Sequence, residues 1–392
     1  MIGNKPGNGN TDRKTAPQLA TEQYSELNAT FYVSGGPHEY IRARLQAIIF
    51  TLTDSEEAEK ILDLGLNVGP LRGQASMRMS EEARARYAQM ESTVLLHHAG
   101  ESLLRLWFAH KESSLCPWLA VASLTSARDF KIEAEKYANA DTSHMTADDI
   151  ASVFLGGRTP EEAGVAIPKE SWEDSVNGFR ELLRVVADQI TGQANLYNAA
   201  KHGLVGIPAD HGDVNLGDIR VAGGIGITYL QKKPNDPANH NSPRSWWATT
   251  SFPSLATDLF LIELIIRAIH SLWNVARRKF AGFPGELVLI SHDEVLTAKA
   301  IGPIADQRPV QDLSQKLPTY TDGSGPQRFA AVELSANAIR LGPEMLRAYE
   351  RISGSSNEIA FIDLPLRQAD RRKPSTSGNQ FFHFSPHGSS EV

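Results

Sequence analysis

Apolar residues recur every three or four positions along three long stretches, and that period predicts three helices. The first runs from about Ser80 to Lys111, with Ser80 as its cap and Glu81 and Glu82 in its first turn. Its stripe is Ala83, Tyr87, Met90, Val94, His97, Glu101, Leu104 and Phe108. The second runs from about Ser171 to His202. Ser171 and Asp174 resemble a capping box, and Gly203 marks the end. Its stripe is Trp172, Val176, Phe179, Leu183, Val186 and Ile190. The third runs from Ser254 to Ala281 and closes at Gly282. It aligns Leu255, Leu259, Ile262, Ile266, Ile269, Trp273, Ala276 and Phe280. A further helix is expected from Glu39 to Leu64, broken near Thr53-Asp54.

Between the second and third helices the period changes from helical to alternating. Glycines punctuate residues 205–252, and Ile225–Leu230 and Ser245–Ser251 read as strands of a hairpin or small sheet. Residues 286–291 and 358–362 are also strand-like, and Ala331–Ile352 reads as a helix.

These patterns predict a mainly α protein: a helical bundle with a small β insertion and a C-terminal α/β segment. The expected order is a disordered tail over 1–22, a helical bundle over 23–205 and a β-hairpin insertion over 206–252. A bundle helix follows over 253–281, then the α/β segment over 282–365 and a disordered tail over 366–392.

Composition narrows the function classes. The chain has 392 residues, 39 Lys+Arg and 46 Asp+Glu, for a formal net charge of −7. That balance argues against a broad basic face for DNA. One cysteine, Cys116, rules out an internal disulfide framework and a multi-thiolate zinc site. The first residues, MIGNKPGNGNTDRKTAPQ, hold no apolar run of the kind a secretory signal needs. Asp258, Glu263, Arg267 and His270 interrupt the most apolar segment, which argues against a membrane span. The expected location is cytoplasmic. No phosphate-binding loop, dinucleotide fingerprint or serine elbow is present, and no cofactor or metal is expected.

Two places carry candidate chemistry. On the first helix, His97 and Glu101 fall on the apolar stripe, with Arg105 one turn further on. Burying such groups costs several kcal/mol unless they are paired, about what an isolated charge demands. They read either as an internal ion pair fixing helix register or as a polar site between helices. At the end of the second helix, Asn198 and His202 share a face beside Tyr197. Lys201 and His202 also suit a helix C-terminus, where cations are favoured. Trp246 and Trp247 are adjacent on a strand, so one is expected in the core and one exposed.

The segment Tyr197-Asn198-Ala199-Ala200-Lys201-His202 resembles the Arg-x4-His signature of the HEPN superfamily, often Arg-Asn-x-x-x-His near a helix terminus. It keeps the Asn and His and has Tyr197 in place of Arg. Arg105-Leu106-Trp107-Phe108-Ala109-His110 has the Arg and His without the Asn. The resemblance covers residues from about 80 to 205. It implies metal-independent RNA cleavage, usually in a homodimer, or RNA binding in a toxin–antitoxin or defence setting. In that reading Arg105, Asn198 and His202 are catalytic, and His97, Glu101, Tyr197 and His110 support them. The competing reading is a non-catalytic scaffold or protein-interaction module whose buried His, Glu and Arg pairs are structural.

Overall fold

The computed structural model describes residues 21–33, 35–53, 79–112, 115–124, 126–138, 144–201, 205–212 and 242–305. It also describes 66–68, 71–73, 214–216, 219–221, 224–235, 310–317, 332–336, 343–353 and 361–370, with residues 19, 60, 203 and 359. The protein is mainly helical with a small antiparallel sheet.

Helix α1 spans Thr21–Val33 and α2 spans Pro37–Leu52. Pro37 pre-sets the first turn of α2, and His38, Ile41, Leu45 and Ile48 form its buried face. The helix stops at Thr53, near the expected break; residues 54–59 and 61–65 lie outside the described residues. Helix α3, Glu81–Lys111, starts as predicted, with Ser80 Oγ accepting the Ala83 N–H at 3.2 Å. Short helices follow: α4 (Pro117–Ser123), α5 (Ala127–Ala138), α6 (Ala147–Ile150) and α7 (Pro160–Ala163). A π-helical turn over Ala151–Leu155 continues α6 and ends at Gly156, whose φ of +83° favours glycine.

The second predicted helix is two helices. Helix α8 spans Lys169–Gly192, and α9 spans Ala194–Ala200. Gln193, at φ −101° and ψ 15°, redirects the chain, so α9 leaves the axis of α8. Ser171 does not cap; α8 already begins at Lys169, and the Asp174 carboxylate accepts from the His292 N–H at 3.2 Å instead.

Helix α10, Leu255–Ala281, is the axis of the bundle, capped by Ser254 and closed by Gly282 at φ +71°. Ile262, Ile265, Ile266, Ile269 and Leu272 are fully buried along it. Among the described residues it is the one helix long and apolar enough to cross a membrane, but 72% of that window is buried inside the protein. Across the core, Trp107 of α3, Phe154 of the π-helical turn and Phe179 of α8 stack in sequence at 5.6 and 4.5 Å between ring centroids.

Strands β1 (Leu66–Val68) and β2 (Leu71–Gly73) form one small hairpin. Strands β3 (Gly206–His211), β6 (Gly224–Pro234) and β7 (Arg244–Ser251) confirm the alternating pattern over 205–252, with β4 (Val214–Leu216) and β5 (Ile219–Val221) paired beside them. This sheet does not stand alone. Strands β9 (Val310–Lys316) and β10 (Val332–Ala336) add to β7, giving the antiparallel order β10-β9-β7-β6-β3. Between them in the chain, β8 (Gly285–Val288) leads to α11 (His292–Ala305).

The helix expected over Ala331–Ile352 is corrected. Val332–Ala336 is β10, and α12 occupies only Pro343–Ser353. Val332-Glu333-Leu334-Ser335 alternates, which suits a strand, and β9 offers it a free edge. Strand β11, Phe361–Leu364, pairs with β8.

The expected tails are shorter than predicted where described. Helix α1 begins at Thr21, and residues 366–370 form a turn that places Asp370 in the interior. The cause is Arg278 of α10, which is 1% exposed and needs a counter-charge. Residues 1–18 and 371–392 lie outside the described residues.

Candidate functional site

The redirected helix α9 crosses α3 and brings Tyr197 onto His97 and His98. The Tyr197 ring lies flat on the His97 imidazole, with centroids 3.7 Å apart and planes 5° from parallel. The Tyr197 hydroxyl is 2.9 Å from His98 Nε2. From the other side α2 presents Arg44, whose guanidinium bonds His98 Nδ1 at 2.9 Å and the Glu91 carboxylate. A chain of four side chains therefore runs Glu91–Arg44–His98–Tyr197 and draws on α2, α3 and α9.

Its proton positions follow from donor chemistry. A guanidinium only donates, so His98 Nδ1 accepts and the ring proton sits on Nε2. That N–H donates to the Tyr197 oxygen, which leaves the phenolic hydrogen free to donate outward. Burial and the Arg44 charge push the His98 pKa down, against Glu101 and Glu91. Burial lowers His97 to about 4, opposed by Glu101. Both imidazoles are neutral at pH 7. Burial and the Glu101 charge raise the Tyr197 pKa, so the phenol keeps its proton.

Beside this chain, α2 and α3 enclose a cleft of about 380 Å³ lined by Tyr40, Arg44, His98, Glu101, Ser102 and Arg105, with Pro37, Ile41 and Leu95. Arg105 Nε bonds Glu101 at 2.8 Å, its terminal nitrogen reaches the Leu124 carbonyl, and the guanidinium lies 4.6 Å from the Phe130 ring centre. Arg105 is thus anchored on one side and faces the cleft on the other.

The site residues predicted from sequence separate into groups. His97 and Tyr197 come together at the α3–α9 contact with Glu101 close enough to act on the phenol, whereas Arg105 turns to Glu101, Leu124 and Phe130. Glu101 and His97 are half-buried at its rim rather than in the core, and Tyr87 of the same stripe is 45% exposed. Asn198 is exposed and accepts from Lys201 Nζ at 2.8 Å, so it holds Lys201 rather than a histidine. His202 lies outside the described residues. His110 faces away from the cleft. Five positions on a helix rotate a side chain by about 140° from Arg105, and His110 Nε2 meets the Tyr32 hydroxyl at 2.6 Å. The pair Arg105 and His110 therefore forms no joint site.

Arg44, Glu91 and His98 are site residues that the sequence reading does not single out. The doublet His97-His98 was visible, but only His97 falls on the apolar stripe. Nothing local marks Arg44; only the α2–α3 packing pairs it with His98. Among the described residues, no group of three or more His, Cys, Asp or Glu could hold a metal ion.

Compared with known proteins, the chain matches no family model, no curated protein and no solved structure.

Proposed function

We propose that the cleft between α2 and α3 binds an RNA phosphodiester and cleaves it without a metal ion, in keeping with the HEPN-like resemblance. The observation that carries this reading is the neutral His98, held between Arg44 and Tyr197 so that the phenolic proton is free to donate. In the proposed reaction the 2′-oxygen attacks phosphorus. The O2′–P bond forms and the P–O5′ bond breaks. Solvent water accepts the 2′-hydroxyl proton, and Tyr197, which reaches the cleft wall through its contact with His98, donates its proton to the departing 5′-oxygen. Tyr197 regains its proton from solvent water, which completes the proton balance. Arg44 and Arg105, which both line the cleft, supply positive charge for the phosphate oxygens. Dimerisation, a cytoplasmic location and a defence or toxin–antitoxin role belong to the same proposal and rest on the resemblance.

The test is RNA cleavage by purified protein in excess EDTA. The expected products carry 2′,3′-cyclic phosphate and 5′-hydroxyl ends. Tyr197→Phe should slow cleavage by about 10²–10⁴-fold while costing only about 1 kcal/mol of stability. Absence of cleavage by the parent protein sinks the catalytic reading.

A second reading has its own observation. Arg44 and Arg105 each already hold a carboxylate partner, Glu91 and Glu101. A scaffold whose ion pairs set helix packing would lose stability in Glu91→Gln and Glu101→Gln, and neither the parent nor any variant would cleave RNA.

A further inference from the structure

The five-stranded sheet has two chemically different faces. Ile227 and Tyr229 of β6 point inward, onto Leu196 and Ala199 of α9 and Met90 of α3. The register places Asp210, Asp312 and Glu333 on this inner side, where Asp312 meets Ser251 and Glu333 meets Lys233 at 3.0 Å. The outer face carries the alternate residues of each strand. Ile207, Leu230 and Trp246 are 64%, 51% and 49% exposed there. Lys232, directly opposite Trp246 in the register, holds its ammonium 4.8 Å from the Trp246 ring centre. Arg244, exposed, stands two residues along the same face. Among the described residues of the five strands, no carboxylate points outward.

We propose that this outer face docks single-stranded RNA, with bases stacking on Trp246 and Leu230 and phosphates meeting Lys232 and Arg244. The charge argument selects the occupant. The chain as a whole is acidic, at −7, yet sorts every described sheet carboxylate to the inner side and leaves two cations beside an open indole. A half-exposed indole with a mobile ammonium over it suits a stacked nucleotide, because every base has a π-face and brings a phosphate onto which the ammonium can move. The sheet is also tied to the helix that carries Tyr197, through Asn195 Nδ2 donating to Gln231 Oε1 at 2.9 Å. The proposal shares with the cleft reading only its choice of RNA.

The experiment is fluorescence anisotropy of labelled oligouridylate with the full chain, in EDTA, using Trp246→Ala, Trp246→Phe, Lys232→Gln and Arg244→Gln. Trp246→Ala should weaken binding about tenfold or more and Trp246→Phe should restore most of it. Each charge removal should lower the slope of log K against log salt by about 0.7. Binding by Trp246→Ala equal to the parent, or no binding by the parent, overturns the proposal. So does a parent dimer that Trp246→Ala dissociates with RNA affinity unchanged, because the face would then be covered by a second copy. The two readings fail separately. Trp246-dependent binding without cleavage leaves this face standing and sinks the catalytic cleft, while cleavage that ignores Trp246 does the reverse.

Discussion

Tyr197 and His97 stack face to face at 3.7 Å, although they lie a hundred residues apart on helices that cross. The stack fixes the ring of Tyr197, and the His98 N–H then fixes its hydroxyl. Removing ring and hydroxyl separately should have distinct effects. Tyr197→Phe keeps the stack and costs about 1 kcal/mol for the lost hydrogen bond. Tyr197→Ala should cost a further 0.5–1.5 kcal/mol or more, roughly the worth of an aromatic pair plus its buried area. Urea unfolding of the two variants against the parent measures both steps.

Arg278 donates to the carbonyls of Ala163 at 2.6 Å and Gly156 at 2.9 Å, and pairs with Asp370 at 3.6 Å. Burial pushes the Asp370 pKa up, but the Arg367 hydrogen bonds and the charges of Arg367 and Arg278 win and leave it below the usual carboxylate range. Asp370→Asn leaves a buried guanidinium with less compensation. The expected loss is about 3–5 kcal/mol, as for one partner removed from a buried pair. Because the folded pKa is depressed, this stability is present above the unfolded carboxylate range and fades as pH falls through the folded value. Stability curves of parent and variant should therefore converge at low pH.

His110 is held neutral, half-buried beside Tyr32. Burial, with the Lys279 charge, lowers its pKa to about 3. Below the ordinary histidine pKa the unfolded chain takes a proton that the folded protein refuses. Stability should fall as pH drops from about 6.5 toward 4, with His110 contributing up to about 1.4 kcal/mol per pH unit. His110→Asn should flatten that slope even if it lowers stability at pH 7. Denaturation midpoints across that pH range, parent against variant, decide it; parallel curves would refute the assignment.

Gly178 lets α8 lie against the turn after β8. A Cβ built there would meet the Ile290 carbonyl oxygen at 2.1 Å, and Ser175 one turn earlier already accepts the Ile290 N–H at 3.1 Å. Gly178→Ala should destabilise by about 1–3 kcal/mol or more, since the obstacle is backbone and overpacking must move it. Gly192→Ala, where nothing lies within 4 Å, is the control and should be close to neutral.

The helical core was legible because periodicity is local. Ser80, Ser254 and Gly282 mark helix ends that the structure reproduces, the stripe of α8 is buried throughout, and that of α10 is buried from Ile262 to Ala276 with Leu255, Leu259 and Phe280 partly covered. One histidine of the site, His97, stood out because it broke an apolar stripe, and Tyr197 because it sat in a motif.

The rest needed the third dimension. The break at Gln193 turns α9 across α3, and only that turn carries Tyr197 to His98 while leaving Asn198 in solvent. Arg44 joins the site from another helix with no local pattern to announce it. Val332–Ala336 is a strand because β9 supplies an edge, which no window of the chain contains. What the sequence alone determined about this protein is where apolar faces recur and where helices can end, since both depend on neighbours within a few residues. What the tertiary structure decided is which polar groups meet, because a histidine's proton and an arginine's partner are set by contacts from distant parts of the chain.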